Sequence, residues 1–171
     1  NHLKKNIKSE KNYLKRIEIL TALLLTGLVF KEYEENYEVA IRELEKFVKV
    51  FFDQDGFPLS RSPSDLVFIS KYLILCQRCI KDAQKYLPEF LETIIKKNLF
   101  CIKKNLTPDD RMPLFNGSIE EDLKKFIENV NEIEIEKNDK KDVVGGIQIL
   151  KYKSCQIFFD IGEPPDKSLS K

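Results

Sequence analysis

This chain is poor in the features on which most functional assignments rest. It has one histidine, His2, no long hydrophobic run and almost no net charge, with 29 Lys and Arg against 28 Asp and Glu in 171 residues for a balance of +1. Near-neutrality removes the sequence-independent attraction to phosphate that nucleic-acid binders use, so no nucleic-acid partner is expected. The longest apolar stretch, Ile19 to Phe30, is interrupted by Thr21, Thr26 and Gly27. It falls short of the roughly 20 residues that a membrane span needs, and it reads as a buried helix. No small-residue cleavage site follows Phe30, which argues against a signal peptide over this stretch. The four cysteines include Cys76-Gln77-Arg78-Cys79. A zinc site would need two further ligands, and a redox pair would sit where a strand turns into a helix. This pair instead lies inside a helical apolar run and reads as buried thiols acting as small hydrophobes. No metal and no cofactor are expected.

What is present is an ordinary globular balance, 42% hydrophobic and 33% charged, in a length suited to about one domain. The chain opens on Asn1 with a helical pattern under way within a few residues, and so reads as an excerpt of a longer protein. Leu14, Ile17, Leu20, Leu24 and Leu28 recur at steps of three and four, predicting a helix from about Ser9 to Val29. A short charged connection leads to a second helix carrying Leu44, Phe47, Val48 and Phe51. Asp53-Gln54-Asp55-Gly56-Phe57-Pro58 stops it with turn chemistry. The third helix starts at Ser62-Pro63, a cap followed by the residue best suited to the first helical position, and runs to about Asp82. A fourth runs from Pro88 to about Lys104. The loop from Leu106 to Gly117 follows, and Ser118-Ile119-Glu120-Glu121 predicts a capping box opening a fifth helix to about Asn129.

Composition then changes. From Glu120 to Asp142 nine acids stand against five lysines, and 131–142 reads as an acidic linker. Beyond Gly145-Gly146, the runs Ile147–Tyr152 and Cys155–Asp160 predict a β-hairpin turning at Lys153-Ser154. A lone hairpin is marginal in water, so this one reads as the opening of a larger sheet. In an up-and-down helical array, the loops after the second and fourth helices emerge on the same end. One carries Asp55, Arg61 and Ser62, and the other carries Asp109, Asp110, Arg111 and Asn116. Two unusual polar loops sharing one end form a candidate site; equally, both are well-capped turns.

At these loops the chain resembles a known family. Asp55-Gly56-Phe57-Pro58-Leu59-Ser60-Arg61-Ser62-Pro63 is similar to the Asp-Gly-Gly-His-x-x-Arg-(Ser/Asn)-Pro segment of bacterial heparinase II/III-like proteins. Pro113-Leu114-Phe115-Asn116-Gly117 resembles their second loop, and Gly146 to Pro165, with Asp160-Ile161-Gly162-Glu163-Pro164-Pro165, resembles the strand pair that opens their β-sandwich. The resemblance implies a mainly α fold of antiparallel helical hairpins from an incomplete α/α toroid, followed by a β-hairpin opening a truncated β-sandwich. The implied domains are 1–130 for the end of the toroid, 131–142 for the linker and 143–171 for the first sandwich strands.

By the same resemblance the longer protein is a polysaccharide lyase acting by β-elimination on uronate-containing glycans, placed in the cell envelope or periplasm, with acidic polysaccharide as partner. The family's loop histidine is replaced by Pro58, and no base–acid pair can be assembled from these residues, so the chain by itself is expected to be inactive. The candidate substrate-binding residues are Arg61, Asn116 and Asp55. Arg61 would pair with a carboxylate or sulfate, or else hold the loop through Asp55 or Asp65. Asn116 would donate to a uronate carboxylate and is also the candidate for stabilising an enolate, or else is a left-handed turn residue before Gly117. Asp55 is suited to shaping the turn. Two other functions remain open: a non-catalytic glycan-binding or envelope polysaccharide-assembly protein, and a helical scaffold that binds proteins.

Overall fold

A computed structural model of the chain describes Ile7, residues 10–131, Ile133, residues 143–153 and residues 155–165. Its helices are α1 (Tyr13–Val29), α2 (Glu35–Phe51), α3 (Pro63–Asp82), α4 (Glu89–Asn105) and α5 (Lys124–Val130), with a 3-10 turn at Lys31–Tyr33. Three strands follow: β1 (Val143–Val144), β2 (Ile147–Tyr152) and β3 (Cys155–Asp160). The fold is therefore mainly helical, with a small antiparallel sheet at the C-terminal end. Apart from Asn131 and Ile133, the expected acidic linker lies outside the described residues, as does His2.

Contacts divide the chain into two compact units, one of Asn1–Val50 with Phe68–Ile95 and the other of Phe51–Val67 with Lys96–Lys171. In the first unit α1 starts later than the apolar period alone predicts. The Asn12 Oδ1 accepts from the backbone N–H of Leu14 (2.9 Å) and Lys15 (3.1 Å), satisfying two orphan donors and defining the start. The periodic residues Ile17, Leu20, Leu24, Leu44, Leu73 and Ile80 are all fully buried. Tyr72 Oη lies 3.1 Å from Glu18 and Cys76 Sγ 3.5 Å from Thr21. Partners at a nearly constant sequence offset mean that α1 and α3 run parallel, as an up-down-up array requires. Glu34 pairs with Lys85 at 3.1 Å, so the connections after α1 and α3 do share one end. The Cys76 thiol is free, and burial pushes its pKa up to about 11, which suits an inert core thiol.

The second unit holds the loop 53–62, the loop 106–123, α5 and the sheet. The fifth helix departs from expectation: it begins at Lys124, whose N–H donates to Asp122 Oδ1 (2.9 Å), six residues after Ser118. Ser118 is used elsewhere. Its Oγ accepts from the Ser64 N–H (3.1 Å), and Ser64 Oγ accepts from the Ile119 N–H (2.9 Å). A tertiary partner thus takes the group that a local cap would have used. In the sheet, β2 pairs with both neighbours, and Tyr152 opposes Cys155 across the expected two-residue turn. Opposed residues share a face. Leu150, Ile157 and Phe159 lie on one that is 45–48% exposed, so an apolar sheet face stands uncovered among the described residues.

Within the first unit, a Cβ on Gly27 would lie 2.3 Å from the Tyr37 backbone nitrogen. The start of α2 therefore approaches α1 as closely as a side-chain-free residue permits. Gly27→Ala is expected to destabilise the protein by about 2 kcal/mol or more in urea denaturation, despite alanine's better helix propensity.

Candidate functional site

The site grows from the turn after α2. Asp53 Oδ1 accepts from the N–H groups of Asp55 (2.9 Å) and Phe57 (2.8 Å), and Phe52 bridges Pro58 across the turn. The loop rests on α4, where Lys97 Nζ donates to the Gln54 carbonyl (2.7 Å) and Cys101 Sγ to that of Asp55 (3.3 Å). The Asp53 carboxylate therefore shapes the turn, while Asp55 Oδ2 accepts from the Gly145 N–H at 3.3 Å. Burial raises the Asp53 pKa above the ordinary 3.8, outweighing its two backbone hydrogen bonds.

Arg61 follows in the left-handed region, φ 58°. That conformation is costly for a residue with a Cβ and persists only where the surroundings impose it. The surroundings here are specific. The guanidinium lies 5.0 Å from the Phe57 ring centroid, donates through Nη1 to the Gly145 carbonyl and forms an ion pair through Nη2 with Asp160. The residue is only 4% exposed, and its Nε has no partner among the described residues. Gly162 lies against the planar group, where a Cβ would come within 2.5 Å of Arg61 Cζ. The arginine is thus enclosed between an aromatic face and bare backbone, and its carboxylate partner is supplied by the end of β3.

Asn116 completes the cluster. With Gly117 it forms the centre of a two-residue turn, φ 52° and 75°, closed by Ser118 N–H donating to the Phe115 carbonyl at 3.1 Å. Its Nδ2 donates to the Arg61 carbonyl (2.9 Å) and to Asp160 Oδ2 (2.7 Å). Asp160 also accepts the Gly162 N–H on Oδ1 at 3.2 Å.

Arg61 and Asn116, 55 residues apart in sequence, are therefore in direct contact. Asn116 is a left-handed turn residue, as one of its two readings expected, and its amide also anchors the neighbouring loop. Arg61 forms its ion pair with Asp160, and Asp65 accepts from Ser60 Oγ at 2.7 Å. Ser62 is fully buried, with its hydroxyl 3.3 Å from that of Ser118. Arg111 stays in its own loop, where it pairs with Asp109 (3.1 Å) and Glu120. The Thr107 hydroxyl donating to Asp109 is the main cause of that carboxyl's lowered pKa. Asp160 is the residue that sequence reasoning passed over as a site member. Its signal was the Asp-x-Gly pattern closing the hairpin, which gives no clue to a partner 99 residues earlier.

Among the described residues no group of three His, Cys, Asp or Glu side chains is placed to hold a metal ion, and no helix is long and apolar enough to cross a membrane. No family model, curated protein or solved structure matches the chain.

Two outcomes follow from this geometry. Arg61→Lys keeps the charge but loses the planar fork, and is expected to cost about 2–4 kcal/mol in denaturant titrations at pH 7. Asp53 holds its proton more tightly when folded than unfolded. Its contribution to stability is therefore greatest below pH 3.8 and is lost as pH rises through the folded value. Asp53→Asn retains the accepting oxygen, so melting temperatures should show no loss at pH 7 and a flatter pH dependence across the carboxylate range.

Proposed function

We propose that this chain is part of a heparinase II/III-like protein of the cell envelope that handles acidic, uronate-containing polysaccharide. In this reading its helices end an incomplete α/α toroid and its strands open a β-sandwich. The observation that carries the proposal is the meeting of three segments that resemble the family in order and spacing. The Asp55–Pro63 loop, the Pro113–Gly117 loop and the end of β3 share one hydrogen-bonded cluster at Arg61, Asn116 and Asp160. The uncovered face of Leu150, Ile157 and Phe159 supports the sandwich, because a second packed sheet is what covers such a face.

A lyase of this kind removes the proton α to a uronate carboxylate, stabilises the enolate and protonates the leaving oxygen. Within this chain Arg61 is enclosed and paired, so its part is to hold the loops together, while Asn116 is exposed and available to a ligand. Proton transfer would fall to groups outside these residues. A non-catalytic glycan-binding role is the second reading. It is favoured at Pro58, which stands where the family carries its loop histidine and is buried in the bridge to Phe52.

The test is electrophoresis of the purified chain through gels containing a series of uronic-acid polymers, with ultraviolet absorbance followed for unsaturated product. Retardation by at least one polymer without a rise in absorbance is expected. Unaltered migration with every polymer would overturn the glycan reading.

A further inference from the structure

The polarity of Asn116 is set before any ligand arrives. A primary amide carries two N–H donors and one carbonyl acceptor. Both donors are committed, one to the Arg61 carbonyl at 2.9 Å and one to Asp160 Oδ2 at 2.7 Å. Each of these partners is an acceptor only, so rotating the amide by half a turn would set oxygen against oxygen. The orientation is therefore dictated by its neighbours. What the exposed side chain has left to offer is Oδ1, to which no described residue donates.

The surrounding charge points the same way. The Arg61 side chain is 5% exposed and already paired, whereas the Asp160 side chain remains 25% exposed beside Asn116. An incoming carboxylate would meet the Asn116 carbonyl oxygen and a partly exposed carboxylate, and no free N–H of Asn116. A hydroxyl would meet an acceptor held in place on two sides. We infer that Asn116 recognises a sugar hydroxyl through Oδ1, with Arg61 and Asp160 as the residues that position it, and that it does not bind the uronate carboxylate. This rests on the glycan reading and reverses the donor role expected of Asn116 from sequence.

The test uses a uronate oligomer from a polymer that retards the chain, together with its carboxyl-reduced counterpart, in which each carboxylate is a hydroxymethyl group. In isotope-labelled protein, both oligomers are expected to shift the Asn116 side-chain carbonyl carbon while its amide protons stay in place. Asn116→Ala should weaken both oligomers by a similar factor, about three- to ten-fold. In Asp160→Asn the affinity ratio should move toward the uronate oligomer, a change in preference that a purely structural role would not produce; an unchanged ratio would overturn the positioning role. Loss confined to the uronate oligomer in Asn116→Ala, or movement of the amide protons with the carbonyl unmoved, would overturn the inference. If Asn116→Ala fails to fold, the wild-type carbonyl shift decides by itself. Wild-type binding that Asn116→Ala leaves intact would remove this inference alone, whereas wild-type protein that binds neither oligomer would remove the glycan reading with it.

Discussion

A guanidinium taken out of water must have its charge balanced, and the second unit is arranged around that requirement at Arg61. Its charge is met by Asp160, one nitrogen by the Gly145 carbonyl, and one face by the Phe57 ring. No single stretch of chain supplies these partners. The turn after α2 carries Arg61 and Phe57, the β1–β2 turn provides a carbonyl, and the end of β3 gives the carboxylate. Enclosing one side chain thus fastens three segments. The space it needs explains why Gly162 has no side chain to offer.

The same cluster determines what the exposed loop can do. Asn116 adopts a backbone conformation that asparagine tolerates better than most residues, and that turn aims its amide at Arg61 and Asp160. An exposed asparagine is ordinarily free to present either end of its amide. Here the Arg61 carbonyl and the Asp160 carboxylate take both donors. The burial of Arg61 and the polarity of Asn116 are two results of one network.

Much of the helical architecture was legible in residue spacing. The apolar period of Leu14 to Leu28 and the Ser62-Pro63 start both correspond to observed helices, and the two runs after Gly146 correspond to β2 and β3. Loop order also anticipated that Arg61 and Asn116 would lie near each other, because alternate connections in an antiparallel array emerge at one end. The capping box at Ser118 misled for a physical reason. A serine hydroxyl serves a distant N–H as readily as a local one, and Ser64 takes it.

Sequence by itself determined the periodic faces, the turn positions and the choice of polar residues in the two loops, since these depend on backbone preference and on the partition of apolar side chains from water over short distances. Only the tertiary structure decided that the carboxylate of Arg61 is Asp160, that Arg61 is buried, and that the Asn116 amide donates to Arg61 and Asp160. Hydrogen-bond partners 44, 55 and 99 residues apart leave no periodic trace along the chain. Direction and proximity in space select them, and those arise only once the segments have packed.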